Sequence, residues 1–143
     1  MYSLFGIGFG PSALSLAIAM KELNFRGKLG FAEQKRSFGW HKPMLLEDAK
    51  MQVSFLKDLV TPRNPASQFT FTSYLKARGR LELFINRKTF FPTRHEFSDY
   101  LEWAAAQFAD QVAYDSQVVR LTPNYRERKV SSITVSLRSS ASG

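Results

Sequence analysis

The spacing of hydrophobic residues changes several times along this chain, and each change marks an element. Residues 2–7 are short and almost wholly apolar, the pattern of a buried parallel strand. The run 11–23 carries Leu14, Leu16, Ala17, Ala19, Met20 and Leu23 and reads as a helix. Asn24 and Gly27 turn the chain over 24–28, and 29–33 forms a second short apolar strand. Strand, helix and strand within about thirty residues make a βαβ unit.

The next stretch, 34–69, is punctuated by Gly39, Pro43, Pro62 and Pro65 and predicts a long loop. It also holds Phe38, Trp40, Met44, Met51, Phe55 and Leu56, too apolar for disorder. Long irregular segments in compact domains usually carry function, and this one reads as a loop wrapped over a ligand. A short helix over 70–78 is stopped by Gly79. The clearest helix is 93–109, where Thr93 and Glu96 have the spacing of a capping box. Phe97, Tyr100, Leu101, Ala104, Ala105 and Phe108 then form one apolar face. Strands follow at 112–114, 117–121 and 132–137, and the Ser-rich end, 138–143, reads as frayed.

At 143 residues, with 44% hydrophobic and 22% charged, the chain has material for one globular core. It has no cysteine, which excludes disulfides and thiolate chemistry and fits a reducing cytoplasm. The net charge of +8 raises the question of nucleic acid. The basic residues are scattered and no nucleic-acid module is visible, so none is expected; positive charge also suits phosphate-rich cofactors. Ala17-Ile18-Ala19 imitates a leader-cleavage site, but no basic residue precedes the apolar stretch and glycines interrupt it. No run of 18 apolar residues exists, so no membrane span is expected.

The chemistry concentrates where the first strand ends. Gly6-Ile-Gly8-Phe-Gly10-Pro11 lies between a strand and a helix, and Glu33 ends the second strand. Glycines let a backbone approach phosphates closely, and a helix start offers unpaired N–H groups and the positive end of a dipole. Pro11 is compatible with the first helical position. An acidic residue at Glu33 can accept from ribose hydroxyls. A tight turn in an ordinary α/β protein remains the alternative.

Elsewhere the residues alone decide less. His95 falls in the first turn of a helix and reads as a surface residue; His41 lies in the long loop. Neither has a second histidine at helical spacing, so no metal is expected. Trp40 is either core or lid. Gln52, in the alternating Met51-Gln52-Val53-Ser54, faces either a heterocycle edge or water. Lys57 is either a solvated charge or a functional one.

Five blocks occur in order: Gly6-Ile-Gly8-Phe-Gly10-Pro11-Ser12, Phe38-Gly39-Trp40-His41, Met51 to Leu59, Asn86 to Pro92, and Glu96 to Leu101. Together they resemble the N-terminal part of the flavin-dependent N-hydroxylating monooxygenases, above all the L-ornithine enzymes of hydroxamate siderophore biosynthesis. The resemblance runs over about residues 2–121 and extends to the L-lysine enzymes. It implies an α/β fold: a Rossmann-like FAD-binding βαβ domain, incomplete, from a flavoprotein with two dinucleotide domains. Residues 1–137 would be the partial FAD-binding domain, and the NADPH-binding domain would lie beyond this chain.

The resemblance also implies roles. Gly6, Gly8 and Pro11 would hold the FAD pyrophosphate. Glu33, Gln34, Lys35, Arg36, Ser37, Phe38, Gly39, Trp40 and His41 would run along FAD, with Glu33 on the adenosine ribose. Met51 and Gln52 would lie near the flavin ring, and Val118 near the adenine. Lys57 would contact the amino-acid substrate through its carboxylate. No side chain in this segment is expected to be catalytic in its own right. The whole enzyme would use FAD, NADPH, molecular oxygen and L-ornithine, and would form a homo-oligomer. Lysine or another diamine as substrate, or a truncated nucleotide-binding module without turnover, remain the alternatives.

Overall fold

The computed structural model describes residues 1–40 and 49–139. They form two compact units that alternate along the sequence. Met1–Phe9, Gly27–Ser37 and the residues from Asp110 onward make the first; Gly10–Arg26 and Phe38–Ala109 make the second.

The first unit is built on a parallel sheet of β1 (Leu4–Ile7), β2 (Leu29–Ala32) and β3 (Val112–Ala113), in the order β1-β2-β3. Leu4 pairs with Leu29 and Ile7 with Ala32; Phe31 pairs with Val112 across the other edge. β2 is the middle strand, and Gly30, Phe31 and Ala32 are buried. Its near-continuous apolar sequence is what a strand covered on both faces requires.

An antiparallel ribbon completes this unit. β4 (Ser116–Arg126) and β5 (Lys129–Ser139) are joined by Glu127 and Arg128, both at positive φ, 51° and 64°. Two consecutive left-handed residues make a hairpin turn whose twist suits the strands, although the residue types are not those that favour it. Bulges fall between Val118 and Arg120 and between Asn124 and Tyr125. Ile133, Val135 and Leu137 of β5 join Phe5, Leu29 and Phe31 in lining an open cavity of about 650 Å³ within this unit.

The second unit is helical: α1 (Pro11–Glu22), α2 (Phe71–Ala77), α3 (Leu81–Asn86) and α4 (Arg94–Ala106). The expected apolar face of α4 is its buried face, from Phe97 through Ala105, with Phe108 buried just beyond. Its core is aromatic. Phe71 contacts Tyr74, Phe84, Phe97 and Tyr100 with ring centroids 5.4–5.9 Å apart, mostly tilted or edge-on, the arrangement ring quadrupoles prefer.

Thr93 caps α4 as its spacing predicts, accepting from the Glu96 N–H at 3.1 Å. The Glu96 carboxylate does not return the bond. It is buried and pairs with Arg80 at 2.7 Å, with Arg87 3.6 Å from its other oxygen. A buried carboxylate needs a cation more than a cap needs a second bond.

Three further differences concern extent. α3 falls in 80–92, which the pattern leaves unassigned, because Leu83 and Ile85 are exposed and blur its period. β4 and β5 run well past the expected strands. β5 reaches Ser139, so the first two residues of the segment read as frayed are in a strand; 140–143 lie outside the described residues.

Candidate cofactor-binding site

β1 stops at Ile7 because Gly8 takes φ +88°, a conformation that glycine adopts without strain. The Gly8 N–H donates to the Ala32 carbonyl at 2.7 Å, carrying the ladder one residue past the strand. Gly10 is the N-cap of α1, with Pro11 at the first helical position, and no side chain caps the helix. The first helix bond is Leu14 N–H to the Gly10 carbonyl, 2.9 Å. The earlier first-turn amides are therefore left for an external acceptor. A Cβ at Gly8 or at Gly10 would meet nothing within 4 Å, so the backbone here borders open space. Unpaired amides beside an open approach fit a pyrophosphate.

Gly6 has a different reason to be glycine. A Cβ there would lie 2.6 Å from Phe31 Cε1 and closer still to Cδ1. Phe31 is buried and packs on Phe9, centroids 4.9 Å apart. Gly6 is thus required by packing, whatever binds nearby.

Glu33 is half-buried and tied to the glycine turn. Its Oε2 accepts from the Phe9 N–H at 2.8 Å and its Oε1 from the Lys35 N–H at 2.9 Å. Its own N–H donates to Ala113, and its carbonyl accepts from Ser116. Each carboxylate oxygen keeps a lone pair for a further donor. Gln34, Lys35, Arg36 and Ser37 are exposed beyond it. Val118 is half-buried on β4 opposite Leu137. Sequence reasoning passed over Tyr114, whose ring meets Phe9 edge-on at 6.5 Å. Burial, and then the Glu33 charge, raise its phenol pKa.

In the second unit Phe38 is buried, Gly39 and Trp40 are half-buried, and Trp40 meets Phe97 edge-to-face at 5.7 Å. His41 lies outside the described residues. Met51 is half-buried, with its N–H on the Pro92 carbonyl at 2.9 Å; Gln52 and Lys57 are exposed. The loop carrying them is pinned at Phe55. Its N–H donates to Phe90 at 2.9 Å, and its ring stacks on the Phe90 ring at 5.9 Å.

Asp58 is the residue the sequence reading missed. Its Oδ1 accepts from the Val60 and Thr61 N–H groups at 2.9 and 2.6 Å. Its Oδ2 accepts from the Thr61 hydroxyl at 2.8 Å and the Phe71 N–H at 2.7 Å. The local half was available as a signal, since Asp followed three residues later by Thr is a turn pattern.

Among the described residues, no group of three or more His, Asp or Glu side chains could hold a metal ion. No helix among them is long and apolar enough to cross a membrane.

A parallel βαβ unit with an uncapped glycine turn and an acidic residue closing the second strand defines a dinucleotide-binding domain of the Rossmann type. The profile of the L-lysine 6-monooxygenase/L-ornithine 5-monooxygenase family matches residues 1–143. The chain belongs to that family. It is 50% identical over 125 residues to an L-ornithine N(5)-monooxygenase from Burkholderia cepacia, a match covering 86% of this chain and 28% of the relative. An ornithine N-hydroxylase from Kutzneria sp. 744, solved with reduced FAD, NADP⁺ and L-ornithine, superposes with a TM-score of 0.92 at 49% identity. That match covers 98% of this chain and 34% of the Kutzneria chain. The ornithine hydroxylase of Pseudomonas aeruginosa gives a TM-score of 0.93 at 39% identity, covering 98% and 35%. The chain thus spans about a third of the length of the relatives it matches. Its fold is the Rossmann-like α/β fold of those structures over the part it spans.

Proposed function

We propose that this chain is the N-terminal, FAD-binding part of an NADPH-dependent monooxygenase that hydroxylates the side-chain amine of L-ornithine in hydroxamate siderophore biosynthesis. The observation that carries the reading is the open turn at Gly8 and Gly10, with Glu33 bonded to its middle residue. The Kutzneria and Burkholderia relatives favour ornithine over lysine or another diamine. The chemistry FAD supplies when bound is electron transfer from NADPH to molecular oxygen, which oxidises the amine to a hydroxylamine.

The chain's own residues bind and orient. The amides of the first turn of α1, with Gly8 and Pro11, take the pyrophosphate. Glu33 fixes the turn and offers its remaining lone pairs to the adenosine ribose. The segment Gln34 to His41 follows the cofactor, with Val118 on its adenine side. Met51 and Gln52 border the flavin ring and Trp40 closes against it, excluding water. Lys57 pairs with the ornithine carboxylate. In this reading the complete enzyme works in the cytoplasm as a homo-oligomer.

An FAD titration of the purified chain, followed by flavin fluorescence and absorbance, tests the site. Saturable binding weakened by Gly8→Ala and by Glu33→Ala is expected. Binding indifferent to both substitutions would refute the assignment. The chain alone is expected to form no hydroxamate from ornithine and NADPH, and sustained turnover by it would overturn the reading of it as a part.

A further inference from the structure

Lys57 presents an exposed ammonium, with no ion pair to it among the described residues, on a loop that has no regular structure of its own. A lysine side chain is long and rotamer-rich, so it can deliver its charge to one place only if its backbone is fixed. The residues that follow are fixed unusually well. Asp58 accepts four hydrogen bonds, three within its own turn and one from Phe71, the first residue of α2. Leu59 is clamped on both sides. Its N–H donates to the Tyr100 hydroxyl at 3.2 Å, and its carbonyl accepts from the Ser15 hydroxyl at 2.7 Å. Tyr100 in turn donates to the Phe69 carbonyl at 2.7 Å. The Lys57 N–H closes back onto Ser54 at 2.9 Å. The loop is thereby tied to α1, α2 and α4, and the tie to α2 runs through one carboxylate.

We propose that Asp58 is a positioning residue for Lys57: by bonding its own turn and the α2 N-terminus together, it holds Lys57 where the substrate carboxylate is met. The inference rests on the proposed role of Lys57. Asp58→Asn keeps size and one acceptor oxygen. It puts an NH₂ donor on one side of the group, where either the Val60 and Thr61 amides or the Phe71 N–H needs an acceptor. It therefore loosens the turn or the tie to α2 without leaving a cavity.

The test uses the whole chain continued in frame by the downstream two thirds of the Kutzneria relative, loaded with FAD and assayed for ornithine-dependent hydroxamate. Asp58→Asn is expected to raise KM for ornithine at least tenfold with kcat within threefold. In a Lys57→Met background the same substitution is expected to change KM less than twofold, because the residue it acts through is gone. Equal KM effects in both backgrounds overturn the proposal, since a merely structural role is blind to Lys57. A loaded parent enzyme that ignores ornithine defeats the functional reading itself. Hydrogen exchange on the 143-residue chain needs no turnover. Asp58→Asn should speed exchange of the Lys57–Thr61 amides at least tenfold and leave Ala104 and Ala105 unchanged. Unchanged exchange at Lys57 overturns the proposal.

Discussion

Gly6 and Gly8 belong to one sequence motif yet carry different loads, and Gly6→Ala separates them. The Phe31 ring lies over Gly6 in the paired strand, so the added methyl enters space the ring already fills, 2.6 Å from Cε1. An ordinary carbon–carbon contact is about 3.5–4.0 Å, so the ring must retreat by about 1 Å or more against Phe9. Overpacking of this kind costs about 1–3 kcal/mol. Replacing glycine returns about 0.4–1 kcal/mol through the unfolded chain. The net expectation is about 1.3 kcal/mol of lost stability, or about 0.7 M in urea midpoint at an m-value of about 2 kcal/mol/M. Phe31→Leu removes the obstructing ring edge, so the double variant should recover most of that loss in a double-mutant cycle. Gly8→Ala should instead cost about 1–2 kcal/mol of backbone strain with no coupling to Phe31. A Gly6→Ala chain within 0.5 kcal/mol of the parent, or one additive with Phe31→Leu, would refute the reasoning.

Other expectations follow from the same contacts. Arg80→Ala leaves the buried Glu96 with only the longer Arg87 contact and should cost about 3 kcal/mol by urea unfolding. Adding Glu96→Gln should restore part of it. Burial raises the phenol pKa of Tyr74, Tyr100 and Tyr114, so they stay protonated in the fold above pH 10 while the unfolded chain loses those protons. Stability is therefore full below pH 10 and falls above it, by about 1.4 kcal/mol per pH unit for the deeply buried Tyr100 and by less for the other two. Tyr100→Phe should lower that slope by one phenol, and an unchanged slope would count against its burial. Replacing Glu127 and Arg128 by Asn and Gly relieves two left-handed residues worth about 1–2 kcal/mol each. Slower amide exchange along β4 and β5 would register it.

The elements legible in the sequence are those whose cause is local. Thr93 caps α4 and the apolar face from Phe97 to Phe108 is buried as spaced, because period and cap are both written in adjacent residues. The glycine turn and Glu33 were legible for the same reason. α3 was not, since exposed Leu83 and Ile85 erase its period. The length of the β4–β5 ribbon was hidden by its turn, where Glu127 and Arg128 stand instead of the usual Asn-Gly. At the site, the motif marked the glycines but not what each one meets. Gly6 answers to Phe31, Glu96 to Arg80 and Asp58 to Phe71, and each partner is remote in sequence. Such pairings follow from tertiary packing, which no window of neighbouring residues records.

The pairing of Phe31 with Val112 also dictates an order of events during synthesis. β2 leaves the ribosome early, but its β3 neighbour emerges only after almost the whole helical unit has been made. At about 5–20 residues per second, one edge of β2 waits for seconds with no strand beside it. That interval is when the nascent chain is most exposed to joining a neighbour on the same messenger, since an unpaired apolar strand is a template for another. Slowing translation over 38–109 should therefore lower the soluble yield more than slowing it after Ala113.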